Sequence, residues 1–88
     1  MSKSEDLKKE FDETAEKIWN SGKTFDNDTT LKLYGYYKQA NSGDCDIESP
    51  SFYQFKEKAK WDAWAQNKGM KNSHAMKKYI KLVNELLS

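Results

Sequence analysis

The sequence has one cysteine, one histidine, one proline, four glycines and no arginine. The single cysteine, Cys45, excludes a disulfide within the chain. Cys45 and His74 are too few to supply the four ligands of a structural zinc site, and nothing local supports them as a nucleophile and base. The scattered glycines form no phosphate-binding loop. We therefore expect no catalytic residue, no metal and no cofactor, and hence no enzymatic activity.

Long apolar runs are also missing. No run approaches the roughly 20 residues that a membrane-spanning helix needs, and residues 1–6 lack the apolar segment of a signal peptide. The 88 residues, one-third of them charged, predict a single domain over residues 1–88 with one small core. With a lone cysteine, these features indicate a reducing compartment. We expect a cytoplasmic monomer with no stable membrane insertion.

The charges are distributed unevenly. Residues 1–30 carry five lysines and eight acidic residues, whereas residues 55–88 carry eight lysines and three acidic residues. All 15 basic residues are lysine, which binds phosphate as a mobile point charge rather than as a planar fork. The second half therefore offers a positive region, although a solvated lysine surface is the simpler interpretation.

Four segments show the periodicity of amphipathic helices, and none shows the alternation of a strand. The predicted helices cover about residues 4–20, then 28 to the Ser42–Gly43 break, then a segment entered at Pro50 and broken by Gly69, then 72–87. Caps are expected from Ser2 with Glu5 and from Asn27 or Asp28. The fold class is thus all-α, a four-helix bundle. Connections of about seven to nine residues allow more than one topology.

Apolar positions suggest which faces turn inward. The first helix contributes one set, the third contributes phenylalanines and tryptophans, and the fourth contributes the longest set. These positions are Leu7, Phe11, Ala15 and Ile18; Phe52, Phe55, Ala59, Trp61 and Trp64; and Ala75, Met76, Tyr79, Ile80, Val83, Leu86 and Leu87.

The second helix carries an unusual group. Tyr34 and Lys38 lie one turn apart, and Tyr37 lies beside them on the same face. A phenol next to an ammonium can bind phosphate, and a further ring can support a flat heterocycle. Gly35 costs about 1 kcal/mol relative to alanine inside a helix, which suggests close approach by another chain segment or a ligand. The alternative is that the tyrosines simply belong to the core.

The third helix adds Lys56 and Lys60, one turn apart. Like charges at that spacing repel each other by a few tenths of a kcal/mol, which a polyanion would relieve. A solvated lysine face is again the simpler interpretation. Interleaved aromatic and basic residues suit either a nucleotide cofactor or nucleic acid, and the absence of arginine and a near-neutral total charge disfavour nucleic acid.

Three motifs in order resemble those of the acyl-CoA-binding protein family, over about residues 11–86. The family's second-helix pattern stands here as Tyr34-x-x-Tyr37-Lys38-Gln39-Ala40 with Gly43-Asp44. Its third-helix pattern stands as Pro50 followed by Phe55-Lys56-x-Lys58-Ala59-Lys60-Trp61-x-Ala63-Trp64. Its fourth-helix pattern stands as Ala75-Met76-x-x-Tyr79-Ile80. The set is highly specific, whereas each motif alone is not.

The resemblance implies an up-down-down-up bundle and a ligand, long-chain acyl-CoA. By analogy with the family, a phenol and two ammonium groups hold the ribose 3′-phosphate, two tyrosines flank the adenine, and another lysine lies near the remaining phosphates. Apolar residues of the second and third helices would line the acyl groove. The groups at the 3′-phosphate are Tyr34, Lys38 and Lys60, and the tyrosines at the adenine are Tyr37 and Tyr79. The lysine near the remaining phosphates is Lys56. The residues of the acyl groove are Leu31, Leu33 and Ala59.

The resemblance further implies a carrier and buffer for medium- to long-chain acyl-CoA esters, which works in lipid transport and makes transient contact with membranes or acyl-CoA-using enzymes.

Two residues depart from the family pattern. Trp19 stands where lysine is common, and Lys32 stands where an apolar residue is frequent beside the acyl groove. Two other interpretations remain open from the residues alone, namely a helical module that docks an acidic protein and a weak nucleic-acid binder.

Overall fold

The structure, a computed structural model, describes residues 3–88, with side chains from residue 5 onward. It contains helices α1 (Lys3–Trp19), α2 (Asn27–Ser42), α3 (Phe55–Ala65) and α4 (Asn72–Leu87). Within the described range there is no strand, and no helix is long and apolar enough to cross a bilayer. The predicted all-α, four-helix fold is confirmed. The capping role expected of Ser2 lies outside the described residues.

The first turn of α2 is capped one residue earlier than predicted. Asp26 has an extended backbone, and its carboxylate Oδ1 accepts a hydrogen bond from the Thr29 backbone N–H at 2.8 Å. Hydrogen bonding from the Thr29 side chain, together with this backbone bond, lowers the pKa of Asp26 by favouring its charged form. The prediction of Asn27 or Asp28 as the cap was therefore wrong, because both already lie inside the helix.

The third helix, in contrast, starts later than predicted. Pro50 and Phe52 lie in the connection between α2 and α3, which spans residues 43–54. Phe52 is 83% exposed, and Phe55, the first residue of α3, is 78% exposed. The expectation that both phenylalanines face the core was wrong. The connection is longer than the expected seven to nine residues, and the 66–71 connection between α3 and α4 is shorter.

Contacts along the helices set their directions. Lys60 lies over the Tyr34 ring and Lys38 lies over the Trp64 ring. The second contact lies four residues further along α2 and four residues further along α3 than the first, so α2 and α3 run parallel. The α4 helix runs antiparallel to α2, because its first residue, Asn72, meets Gln39 and its later Tyr79 meets the earlier Tyr37. These directions agree with the up-down-down-up arrangement, and the long 43–54 connection makes the parallel pair possible.

The core lies where α4 packs between α1 and α2. Its buried cluster joins residues from these three helices, and Leu7, Ala15 and Ile18 of α1 pack against its edge. Burial of these side chains supplies the main driving force for folding. The predicted inward faces of α1 and α4 are therefore confirmed, except that Leu86 is half-buried and belongs neither to the cluster nor to its edge. The cluster consists of Phe11, Ala40, Ala75, Tyr79, Ile80 and Val83.

Gly35 marks the closest approach of α2 and α3. A Cβ atom at this position would lie 2.3 Å from the backbone carbonyl oxygen of Ala63 and 3.1 Å from the Asn67 side-chain amide. The first distance is too short for any side chain unless the backbone shifts, and the second would require the Asn67 side chain to move. The close approach suggested by the sequence is confirmed, and the neighbour is the third helix.

The second half of the α2 motif, from Gln39 to Asp44, holds the end of α2 against the connection between α3 and α4. Gln39 is fully buried, and its side-chain amide donates to the carboxylate of Asp44 at 2.9 Å and to the Met70 carbonyl at 2.8 Å. The same carboxylate accepts the Gly69 backbone N–H at 2.8 Å. These two bonds lower the pKa of Asp44. One carboxylate thereby ties the end of α2 to the connection between α3 and α4.

Candidate ligand-binding site

A cleft of about 830 Å³ opens between the second half of α1 and the first half of α2. One end of α1, the connection that follows it and one face of α2 form its walls, and a single residue of α4 closes it. Aromatic and aliphatic side chains make up most of the lining. The lining residues are Asp12, Ala15, Glu16, Ile18, Trp19, Lys23, Phe25, Thr30, Leu33, Tyr34, Tyr37 and Tyr79.

Tyr37 and Tyr79 line this cleft, and the ring of Phe11 packs behind them. Phe11 is fully buried, and its ring centre lies 5.5 Å from that of Tyr37 and 5.1 Å from that of Tyr79. Tyr37 and Tyr79 lie 5.8 Å apart. Such separations are typical of favourable aromatic packing. Phe11 therefore holds Tyr37 in place from beneath, while Tyr37 stays 43% exposed and offers surface to a ligand.

Tyr79 differs from Tyr37 in its degree of burial. Only 6% of Tyr79 is exposed. Burial, with a smaller contribution from Tyr37, raises the pKa of the Tyr79 phenol to about 12, because removal from water penalises the phenolate. Tyr79 is therefore neutral across the physiological range and presents only a narrow surface to the cleft.

Two lysines lie over aromatic rings at the junction of α2 and α3. The ammonium of Lys60 is 5.7 Å from the centre of the Tyr34 ring, and that of Lys38 is 4.8 Å from the Trp64 ring. Cation–π attraction of this kind contributes about 0.5–1 kcal/mol at exposed sites. Because Tyr34 also lines the cleft, Lys60 and the Tyr34 ring form one mixed phenol and ammonium surface at its edge.

The lysines of α3 differ in their ion pairs. Lys58 pairs with Asp62 one turn further along the helix. Among the side chains from residue 5 onward, the only other such pair within 4.0 Å joins Lys8 to Asp12. Lys38, Lys56 and Lys60 are thus not neutralised by a carboxylate in this part of the chain. Lys56 is exposed and does not line the cleft.

Of the three residues expected to line an acyl groove, only one lines the cleft. Leu33 lines the cleft beside Ala15 and Ile18. Leu31 and Ala59 are half-buried on α2 and α3 but lie outside the lining. Lys32 is exposed. The structure therefore brings Leu33, Tyr34, Tyr37 and Tyr79 together and places Lys60 over the Tyr34 ring, whereas Lys38, Lys56, Leu31 and Ala59 lie outside the lining.

Sequence reasoning missed part of the cleft wall. Lys23 and Phe25, in the connection after α1, line the cleft, and Trp19, which the sequence marked only as a departure from the family pattern, is 88% exposed at the rim. Thr30 completes the wall on α2. The adjacent aromatic and basic residues at positions 19–25 were a usable signal, but only the fold shows that this connection faces Tyr37. The described residues hold no group of three or more metal-ligating side chains.

Comparisons with known proteins agree with this geometry. Residues 8–83 match the family model described as acyl CoA binding protein. The chain is 44% identical over 81 residues to acyl-CoA-binding domain-containing protein 6 of Arabidopsis thaliana, covering 92% of this chain and 88% of the relative. It is 42% identical over 76 residues to the acyl-CoA-binding protein of Dictyostelium discoideum, covering 86% and 90%.

Solved structures give the same result. Acyl-CoA-binding protein 2 of Oryza sativa superposes with a TM-score of 0.91 at 40% identity, covering 96% of this chain and 91% of that one. The protein from Moniliophthora perniciosa described as ACBP superposes with a TM-score of 0.83 at 35% identity, covering 99% and 81%. Both likenesses extend over nearly the whole chain, so the cleft lies in a fold shared with these proteins.

Proposed function

The chain belongs to the acyl-CoA-binding protein family, and we propose that it binds medium- to long-chain acyl-CoA esters in and around the α1–α2 cleft. The observation that carries this proposal is the exposed ring of Tyr37 in the same cleft as Tyr34, whose ring contacts the unneutralised ammonium group of Lys60. The ester is bound and released unchanged, so the protein acts as a carrier and buffer rather than as an enzyme. Residues 1–88 serve as a single acyl-CoA-binding domain.

The adenine ring binds at the back of the cleft. Tyr37 is held from beneath by Phe11 and exposes enough of its ring to stack on a base. Tyr79 forms the neighbouring wall. Stacking a base on an aromatic side chain contributes roughly 1–3 kcal/mol by alanine substitution. This contact distinguishes a nucleotide from a simple fatty acid.

The ribose 3′-phosphate binds between α2 and α3. The Tyr34 hydroxyl, Lys38 and Lys60 supply donors from these two helices, and the contact of Lys60 with Tyr34 supports their placement side by side. Lys56 lies one turn before Lys60 and serves the other phosphates. Glu16 lines the α1 side of the cleft and repels phosphate, which directs the phosphates towards α3.

The acyl chain supplies most of the binding free energy. Burial of a methylene contributes about 0.8 kcal/mol, so a dozen give roughly 10 kcal/mol before entropic costs. Leu33 provides apolar surface within the cleft. Leu31 and Ala59, half-buried on the neighbouring faces of α2 and α3, extend that surface along the groove expected for the chain.

The cellular role follows from reversible binding. A carrier of this kind shields the thioester and delivers it to membranes or to acyl-CoA-using enzymes through transient contacts. The cytoplasmic location, the monomeric state and the absence of nucleic-acid binding stay predictions from the sequence.

Calorimetric titration with three ligands tests the proposal. Palmitoyl-CoA should bind one-to-one at low micromolar concentration or tighter. Free CoA should bind much more weakly because it lacks the acyl chain, and free palmitate should bind weakly because it lacks the nucleotide. If palmitoyl-CoA gives neither binding heat nor a change in tryptophan fluorescence, the proposed function is wrong.

A further inference from the structure

The cleft offers only one exposed ring on its inner side. Tyr79 packs against Phe11 and Tyr37 and is 6% exposed, so it cannot cover the second face of a base that lies on Tyr37. Tyr34 and Phe25 are half-buried. Among the rings that line the cleft, Trp19 and Tyr37 are the exposed ones. A base bound there therefore has Trp19 as its remaining aromatic neighbour.

Trp19 differs from the other two tryptophans of the chain. Trp64 donates its indole N–H to the Gly43 carbonyl at 2.8 Å, and Trp61 donates to the Ile47 carbonyl at 2.8 Å. The Trp19 indole has no such partner among the described residues and is 88% exposed. It is the last residue of α1. No hydrogen bond or ring contact with the described residues anchors this indole, so it is free to change rotamer at the cleft rim.

We propose that Trp19 is a ligand-contacting residue whose indole turns over the cleft and stacks on the adenine of bound acyl-CoA, on the face opposite Tyr37. This inference rests on the proposed function and extends it. A large exposed indole is costly in water unless it is covered, and a flat base of matching size covers it. Trp19 thereby increases selectivity for the nucleotide half of the ligand.

Substitution of Trp19 should weaken binding without affecting the fold. Because stacked bases lose substantial affinity on alanine substitution, Trp19→Ala should weaken palmitoyl-CoA binding by about tenfold. Trp19→Phe should retain most of the affinity, since phenylalanine keeps an aromatic face. Phe52→Ala is the matched control, because Phe52 is 83% exposed but does not line the cleft. It should leave the affinity unchanged.

Proton NMR of the bound ligand locates the contact. An indole stacked on adenine shifts the adenine H2 and H8 resonances upfield, so these shifts should be smaller in the Trp19→Ala complex than in the wild-type complex. Equal affinities of wild type and Trp19→Ala for palmitoyl-CoA would overturn the inference. So would weaker binding with unchanged adenine shifts, which would place Trp19 on the acyl chain. Failure of the wild type to bind palmitoyl-CoA would instead overturn the proposed function itself.

Discussion

At the scale of single residues, the role of several charged and aromatic side chains depends on the side chain that each one contacts. Tyr37 packs against Phe11, the Lys60 ammonium lies over the Tyr34 ring, and Lys58 forms an ion pair with Asp62. The sequence predicted Tyr37 and Lys60 from their motifs, since helical spacing shows which residues share a face. It did not predict that Tyr79 is buried while Tyr37 is exposed, because that difference depends on how α4 packs against α1 and α2.

Lys60 and Lys58 provide a matched pair on one helix. Lys60→Ala should weaken palmitoyl-CoA binding about tenfold or more, because a bond to a charged group contributes about 1.5–3 kcal/mol. It should weaken the analogue without the 3′-phosphate far less, as measured by calorimetry. Lys58→Ala should affect neither ligand, since its charge is already paired with Asp62. Equal losses for both ligands would show that Lys60 does not contact the 3′-phosphate.

Tyr79 should give the protein a specific sensitivity to alkaline pH. Its pKa is raised to about 12 in the folded protein, compared with about 10 in an unfolded chain. The folded state therefore holds the proton more tightly, and the free energy of unfolding falls as pH rises from about 10 to 12. Denaturant titrations over this range should show a steeper fall for the wild type than for Tyr79→Phe. Parallel curves would contradict the burial of the phenol.

At the scale of helices, the motif in α2 divides into two parts with different roles. Tyr34 and Tyr37 face the cleft, whereas Gln39 and Asp44 hold the connections at the other end. The strongly amphipathic α1 and α4 could be predicted almost to the residue. The start of α3 could not, because Phe52 and Phe55 imitate the spacing of a buried face while both remain exposed.

Gly35 allows α2 and α3 to approach each other. On helix propensity alone, Gly35→Ala would stabilise the protein by about 1 kcal/mol. The new Cβ would instead meet the Ala63 carbonyl oxygen at 2.3 Å, and a backbone atom cannot move aside by changing rotamer. We expect a net loss of about 1–3 kcal/mol in unfolding free energy, measured by denaturant titration. We also expect weaker palmitoyl-CoA binding, because α3 carries Lys60. A more stable variant would contradict this close packing.

At the scale of the whole molecule, the site depends on long-range topology. The twelve residues of the 43–54 connection let α3 run parallel to α2, which places Lys60 beside Tyr34. The 20–26 connection brings Lys23 and Phe25 to the same cleft. Periodicity predicted four helices but allowed more than one topology, and the family motifs supplied the arrangement. Lys23 and Phe25 became site residues only when the cleft between α1 and α2 was defined.

The most direct test of the central claim is a two-dimensional ¹H–¹⁵N NMR titration of the protein with palmitoyl-CoA. The spectral changes should saturate at one ligand per chain. They should concentrate at Tyr34, Tyr37, Lys38, Lys60 and Tyr79, with little change near the C-terminal turn of α4. Changes that do not saturate at that ratio, or that lie mainly away from the α1–α2 cleft and the neighbouring face of α3, would contradict this account of the binding site.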